Sequence, residues 1–400
     1  MSQAPSLSLT PHSSSLVPPT SHSPVSRSAG YTHQEIIRAQ TMAAGLVAVW
    51  GIIFFGSAAT TVIVISVSTA IAADLLIGLS IRRPVLGGLW HAALTGMLIG
   101  LTLPATVNWY VPAVGSLAAI LLGKAPFGGL GHYVWHPALV GRVFVQLLFN
   151  STLTLGASYS PEPVLARDQL LVGDLRKSVP LEMASYEGWS GTPAPPGVDA
   201  FVMERPLRSL HRFADGQIKN EGTLRFTPLL RDYLPPWQDT LLGAVPGGIG
   251  ESSTLAVMVA GLYLIYRGYL RWQLPVALLA GAAVAAAILP VAGYQGGGFR
   301  WLPLVASENG RAVGLAYILY HLTSGQLMIG AFILAGDMIT SPKRARAQIV
   351  FGAMIGAATI FMRLYGLPEG ECYWAILGAN SFVPFIDRQL KRLVLGIENE

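Results

Sequence analysis

The chain has 400 residues, of which 52% are hydrophobic and only 12% charged, and its mean hydropathy is +0.51; an average soluble protein carries about 25% charged residues, so a water-soluble enzyme is excluded. The net charge of +5 comes from a shortage of acids rather than from basic clusters on a polar surface, which argues against a nucleic-acid binder. Cys372 is the only cysteine and by itself builds neither a disulfide nor a zinc or iron–sulfur site, leaving an integral membrane protein.

Residues 1–30 contain ten Ser and five Pro with no apolar periodicity, so residues 1–40 read as a disordered Ser/Pro-rich tail. The apolar run that starts at Thr41 continues far beyond the core of a signal peptide. From there, apolar stretches recur at 41–57, 58–80, 84–104, 110–123, 137–150, 252–270, 274–293, 311–338, 347–365 and 372–387, against the roughly 20 residues that a spanning helix needs. The expected fold is an all-α integral membrane protein of about ten transmembrane helices. It divides into a first membrane half (41–150), an external segment (151–239), a second membrane half (240–390) and a C-terminal tail (391–400). Several stretches are short or interrupted by Gly and Pro, which at membrane depth is tolerated only where backbone is buried in protein or lines a cavity.

Loop charge sets the expected orientation. With the N-terminal tail in the cytoplasm, the short loops on that side hold Arg82, Arg83, Lys124, Arg267, Arg271, Lys343, Arg344 and Arg346, and the C-terminus adds Arg388, Lys391 and Arg392. The opposite connections hold Arg300 and Arg311 against Glu308, Glu369 and Glu371. Both termini then face the cytoplasm. Residues 151–239, with nine basic and eleven acidic residues, lie outside as a solvated segment.

Two glycine signatures form a weak internal repeat. Ala125-Pro-Phe-Gly-Gly-Leu-Gly131 and Val245-Pro-Gly-Gly-Ile-Gly250 share a Gly-Gly-apolar-Gly core, with Gly128, Gly129 and Gly131 answering Gly247, Gly248 and Gly250. Each directly precedes an apolar stretch. Such glycines let helices pack closely. They also let backbone N–H groups at a helix start approach an anion or an electron-rich ring edge, and paired half-helices in two halves of a membrane protein point to a site near the midplane. Both readings stand at this point.

The stretch Lys124-Ala-Pro-Phe-Gly-Gly-Leu-Gly131, continued by His136-Pro-Ala-Leu-Val-Gly-Arg-Val-Phe144, resembles the first signature of the NqrB/RnfD family. Pro246-Gly-Gly-Ile-Gly-Glu-Ser-Ser-Thr-Leu-Ala256 with Gly261-Leu-Tyr-Leu-Ile-Tyr-Arg267 resembles the second. Further matches are His321-Leu322, Gly330-Ala-Phe332, Asp337 with Thr340-Ser-Pro342, Phe351-Gly-Ala-Met-Ile-Gly356, Pro368-Glu-Gly370, and Asn380 with Pro384-Phe-Ile-Asp387. The resemblance covers about residues 70–390.

It implies an inner-membrane subunit of an Rnf-type or sodium-pumping NADH:quinone-reductase-type complex, with two inverted halves similar to urea transporters. It also implies FMN joined through its phosphate to a threonine, a second non-covalent riboflavin in some members, other complex subunits as partners, and a contribution to quinone reduction. Thr227-Pro228-Leu229 reproduces the end of the family's attachment motif, which makes Thr227 the candidate for covalent FMN and Thr223 a weaker substitute. Leu224-Arg225-Phe226 replaces the family's usual Ser-Gly-Ala, setting an aromatic ring beside the acceptor; an ordinary turn before Pro228 is the competing reading.

Ionisable residues at membrane depth need a partner or water. Asp74, His91, His132, His136, Arg142, Glu251, His321 and Asp337 fall in or near the apolar stretches. Glu251 is expected in the first turn of its helix, either capping it or serving a coupling cation, a quinone proton or a flavin. Arg142 is expected either to meet Glu251 or a flavin phosphate or to form a purely structural salt bridge. Asp74, Glu251 and Asp337 are candidates for an ion or proton path. His132, His136 and His321 read as hydrogen-bonded core residues rather than metal ligands, and His91 as facing a helix interface. Trp109-Tyr110 and Tyr373-Trp374 read as interfacial anchors, and Cys372 as a small packing residue. No phosphate loop or dinucleotide fingerprint is present.

The functional expectation is a subunit that passes electrons through FMN toward a second flavin or quinone and couples this to Na⁺ or H⁺ transport. A subunit that has lost its flavin and serves as a scaffold is one alternative. A small-solute channel or transporter on the same architecture is the other.

Overall fold

The computed structural model describes residues 33–81, 88–150, 152–153, 205–219, 226–235, 237–243, 245–292, 311–366 and 370–397. The tail 1–32, most of the external segment, Thr223 and the loop charges Arg82, Arg83, Arg300, Glu308 and Glu369 lie outside them.

The described chain is helical, as its composition requires of a protein that must satisfy backbone groups inside a bilayer. In chain order the helices are α1 (His33–Ile81), α2 (Leu89–Thr102), α3 (Tyr110–Leu121), α4 (Pro137–Leu148), α5 (Pro206–Ala214), α6 (Phe226–Pro228), α7 (Trp237–Leu242), α8 (Thr254–Tyr266), α9 (Gln273–Ile288), α10 (Arg311–Thr323), α11 (Gln326–Ile329), α12 (Ala345–Tyr365) and α13 (Glu371–Ile397). Wide helical turns follow α6 at Leu229–Tyr233 and α11 at Gly330–Leu334.

At 49 residues, α1 would extend more than 70 Å at about 1.5 Å per residue, over twice a hydrocarbon core of about 30 Å. Gly56 resolves this, because its backbone (φ 69°, ψ −148°) is non-helical and divides the element into 33–55 and 57–81. The division falls where the sequence separates the stretches 41–57 and 58–80.

Each of the ten apolar stretches carries a helix, but their lengths differ. His33–Ser80, Tyr110–Phe127 and Ala345–Tyr365 are long and apolar enough to cross a membrane, and Val313–Thr323 with Gln326–Leu334 form a pair bent by 58°. Leu89–Thr102, Pro137–Leu148, Thr254–Tyr266 and Gln273–Ile288 are apolar and shorter. Non-helical backbone continues some of these short helices, such as 103–109 after α2 and 245–253 before α8.

Small residues let the longest contacts close. A Cβ on Gly96 would overlap Ser66 and Val67 of α1, and one on Gly356 would overlap Leu278 of α9; the helices meet backbone to backbone, where packing rather than water release holds them. One continuous apolar core runs from α1 through α13. The architecture is that of an all-α membrane protein.

Candidate functional site

The extended stretch after α2 and the second glycine signature lie side by side. The Ile249 N–H donates to the Leu103 carbonyl at 2.9 Å, the Gly250 N–H to that of Leu101 at 2.7 Å, and Pro104 and Gly248 form an antiparallel bridge. The Gly248 N–H donates to Glu251 Oε2 at 3.2 Å, and the Glu251 N–H to the Gly248 carbonyl at 3.0 Å. The amides of residues 248–251 are therefore all engaged inside the protein, and a Cβ on Gly250 would overlap Leu101 and Ile329. Close packing accounts for this signature. An anion would first have to displace protein acceptors.

Glu251 does not sit in the first turn of its helix. The helix α8 starts at Thr254, and Ser253 caps it, its Oγ accepting from the Ala256 N–H at 3.2 Å. The serine hydroxyl has the short reach that an N-cap demands, which frees the Glu251 carboxylate for a tertiary role. Glu251 is buried and accepts a hydrogen bond from the Tyr373 hydroxyl.

Arg142 approaches the same tyrosine from the other side. It is 1% exposed; its Nε donates to the Thr102 carbonyl at 3.0 Å and its Nη1 to Gln146 Oε1 at 3.1 Å. Its guanidinium lies 5.3 Å from the centroid of the Tyr373 ring, a cation–π arrangement strengthened by burial. Arg142 and Glu251 thus meet at Tyr373, and the circuit through Thr102, Pro104 and Gly248 joins the N-terminal helices to the C-terminal ones. Tyr373 is fully buried and is no interfacial anchor. It lies in the first turn of α13, which begins inside the protein, where a Cβ on Gly370 would overlap the Gln146 side chain. Trp109, by contrast, is 69% exposed at the start of α3, in keeping with an anchor.

A second buried charge network lies on α10, α12 and α13. Arg363 Nε donates to Glu371 Oε1 at 2.8 Å, and Arg363 Nη1 to the His321 carbonyl at 2.6 Å; Arg363 and Glu371 are both fully buried. Glu371, counted from the sequence as a loop charge, is a core residue. The signal was an arginine in the last turn of an apolar helix eight positions before a carboxylate. Cys372 packs against Gly330, where a Cβ would overlap its Sγ.

The first glycine signature is built differently. Gly128, Gly129 and Gly131 have φ of 89°, 102° and 95°, a region that only glycine enters freely. Nothing lies within 4 Å of a Cβ on Gly128 or Gly131. Beneath the loop, Lys124 Nζ reaches Asp74 Oδ1 at 2.9 Å with both side chains fully buried. Lys124 is therefore not a loop charge: a lone carboxylate in an apolar helix requires a cation, and the signature supplies it. Nearby, His91 Nε2 lies 3.3 Å from the Tyr133 hydroxyl. Tyr133 shares a cavity wall with Asp337, whose Oδ2 accepts from the Thr340 N–H and hydroxyl, each at 3.2 Å. His136 is buried and His132 exposed.

Thr227 lies in the single turn α6, and its side chain falls outside the described residues. Its neighbour Phe226 is 4% exposed, with ring centroids 5.1 Å from Phe213 and 5.2 Å from Tyr317. The aromatic ring that replaces the family's small residue is thus turned into the core, where it pins the turn onto α5 and α10.

Residues 19–396 match the NQR2, RnfD, RnfE family. The chain belongs to that family. It is 29% identical to the D subunit of the proton-translocating ferredoxin:NAD⁺ oxidoreductase complex of Clostridium ljungdahlii, over 87% of each chain. It is also 29% identical to the D subunit of the Na⁺-translocating ferredoxin:NAD⁺ oxidoreductase complex of Acetobacterium woodii, over 86% of this chain and 84% of that one. The D subunit of the ion-translocating oxidoreductase complex of Aeromonas salmonicida is 29% identical over 86% of this chain and 89% of its own.

Proposed function

We propose that this chain is the D-type membrane subunit of an ion-translocating oxidoreductase complex, working with partner subunits that exchange electrons with ferredoxin and NAD⁺. The observation that carries the reading is the family match over residues 19–396, shared with subunits that carry these names. The expected placement is the inner membrane, with both termini in the cytoplasm, residues 151–239 outside, and inverted membrane halves on either side.

Within that reading, Thr227 is the attachment point of an FMN phosphate. The local structure suits a threonine ester: α6 is an ordered turn flanked by the buried Phe226 and Leu229, so the residue between them is held on a fixed backbone. A flavin there would accept and pass on one or two electrons. This chain's residues provide the fixed turn and, through Tyr317 and Phe213, its attachment to α10 and α5.

The second glycine signature has no free amide to offer a ligand at residues 248–251, since all four already have protein partners. The riboflavin and quinone expectations therefore concern other surfaces, with the open first signature the better candidate. Arg142, Tyr373 and Glu251 hold two buried charges in one hydrogen-bonded circuit. Electron movement nearby would change the field on Glu251 and, with it, its hold on a proton or cation.

The test is to purify the chain from a host that expresses a flavin transferase and to record in-gel flavin fluorescence after denaturing electrophoresis. A fluorescent band that vanishes in Thr227→Val is expected. A dark wild-type band overturns the flavin assignment and favours the scaffold reading, to which the substituted motif Leu224-Arg225-Phe226 lends support. Co-purification with flavoprotein and iron–sulfur partner subunits tests membership of the complex; its failure would favour the solute-transporter reading.

A further inference from the structure

Glu251 and Glu371 are both buried at the centre of the protein, and their hydrogen bonds differ. Both oxygens of Glu251 hold a donor, Oε2 the Gly248 N–H at 3.2 Å and Oε1 the Tyr373 hydroxyl. Glu371 engages only one. Its Oε1 accepts from Arg363 Nε at 2.8 Å, whereas Oε2 is buried and has no hydrogen-bond partner among the described residues. The residue is fully buried, where a bare carboxylate oxygen is costly and is kept when it serves a ligand. At the 58° break between α10 and α11, Ser324 Oγ and both carboxamide atoms of Gln326 are likewise buried without a partner among the described residues. These groups belong to the same region: Arg363 Nη2 meets the Ser324 carbonyl at 3.5 Å, and α11 leads into Gly330, which lies against Cys372.

Charge limits what Oε2 can take. Arg363 pairs with Glu371, and Arg142 lies over the Tyr373 ring beside Glu251. Two cations therefore balance two carboxylates. A metal cation added here would be an uncompensated buried charge, and among the described residues no set of three or more His, Cys, Asp and Glu could hold one. A negative charge arriving nearby reverses the balance and calls for one cation. The turn α6, which carries Thr227, is joined to Glu371 by a short series of contacts. The Phe226 ring meets that of Tyr317 at 5.2 Å, and Tyr317 meets His321 at 4.6 Å. The His321 carbonyl accepts from Arg363 Nη1 at 2.6 Å, and Arg363 holds Glu371. From α5, His211 Nδ1 lies 2.9 Å from the Arg363 carbonyl.

Hydrogen bonding selects the group that responds. A guanidinium only donates, so His321 Nδ1, 3.4 Å from Arg363 Nη1, accepts, and the ring proton sits on Nε2. A second proton on that ring would set cation against cation. A proton on Glu251 would turn an oxygen that receives a donor into a donor facing it. Tyr373 already gives its hydroxyl proton to Glu251. Of these groups, Glu371 alone keeps an oxygen whose lone pairs are open, and a proton needs no more room than a lone pair.

We infer that Glu371 takes up the proton that accompanies an electron held at Thr227, and releases it when the electron moves on. Hydronium gives its proton to Glu371 Oε2 and becomes water; one O–H bond breaks and one forms. The electron comes from reduced ferredoxin through the partner subunits. On its departure the Oε2–H bond breaks and the proton returns to water. This inference rests on the reading of Thr227 as the flavin-bearing residue, and between the two buried carboxylates it assigns the coupled proton to Glu371.

Two measurements test it. The full chain, flavinylated in a host with a flavin transferase and labelled with ¹³C-glutamate, is reduced electrochemically while infrared difference spectra are recorded. Reduction is expected to raise the C=O band of a protonated carboxyl that is moved by the label, as flavin carbonyls are not. The band should vanish in Glu371→Gln and persist in Glu251→Gln. In Glu371→Asp, which keeps a carboxylate for Arg363 and decides the point if the glutamine variant does not fold, it should lose its isotope shift. A band that survives Glu371→Gln with its shift, one that vanishes in Glu251→Gln, or none in the flavinylated wild type overturns the inference. A chain that takes up no flavin overturns the attachment reading instead, and the second measurement then decides the role of Glu371. Dicyclohexylcarbodiimide, an apolar reagent that traps a carboxyl when it visits its protonated form, is applied to the wild-type chain in lipid vesicles, and adducts are mapped by mass spectrometry. Glu371 is expected to be modified faster than Glu251. Modification of Glu251 at an equal or greater rate, or none at Glu371, refutes the assignment.

Discussion

The two glycine signatures share a sequence core and do opposite physical work. Gly128 and Gly131 need glycine for backbone direction, since their φ values are positive and the space above them is open. Gly250 needs glycine for space, because Leu101 and Ile329 occupy the place of its side chain, and its φ is ordinary. One motif is a turn with an accessible outer face. The other is a joint between distant parts of the chain. A repeated pattern in a sequence therefore fixes what a segment can tolerate, and only its surroundings say what the tolerance is for.

Substitutions separate the two, and Cys372 supplies the readout, since the single thiol is buried and labels only when the helices part. The largest loss of stability is expected from Lys124→Met beneath the first signature, which strands the Asp74 carboxylate at a cost of about 3–5 kcal/mol, seen as a fall in the thermal midpoint of thiol labelling. Tyr373→Phe removes a hydrogen bond to a buried carboxylate beside the second signature and should cost about 1.5–3 kcal/mol, read from the same midpoint; an unchanged midpoint would mean that the Glu251 circuit does not hold the joint. Gly250→Ala should cost about 1–3 kcal/mol by overpacking, partly recovered in the double variant with Leu101→Ala, and the absence of such coupling would break the assignment of that glycine to packing. The smallest effects sharpen the contrast: Gly128→Ala should cost about 1–2 kcal/mol through left-handed backbone alone, with no rescue by any neighbour. Gly247→Ala, where no positive φ and no nearby atom oppose a methyl group, should stay within about 0.5 kcal/mol of wild type.

Hydropathy located the helices well because the bilayer demands long apolar runs, and even the break in α1 at Gly56 was readable between two runs. The charged residues were harder to read. Lys124 and Glu371 border apolar stretches, and a one-dimensional profile scores a residue at such a border as a loop charge whether it points to water or back into the protein. Asp74 and Arg363 answer them from 50 and 8 positions away, and only the fold brings the partners together. A carboxylate or guanidinium deep in an apolar run was the available signal, since each demands a counter-charge, though the sequence does not say which border residue supplies it. Tyr373 was misplaced for a related reason: aromatic pairs at the ends of helices mark interfaces only when the helix ends at one, and α13 begins in the core. Arg142 and Glu251 were both picked out for their depth, but the tyrosine between them was not. Thr227 was singled out only through family likeness, because a lone threonine before a proline carries no chemistry of its own.

The antiparallel crossing at Leu101–Pro104 and Gly248–Gly250 bears on how such a protein can move. Rocking one set of helices against the other would have to tear two main-chain links and uncover the buried Arg142 and Glu251 together. Transport by large swings of rigid halves is the expensive route for this scaffold. Side-chain rotation, which leaves the crossing intact, is the cheaper motion.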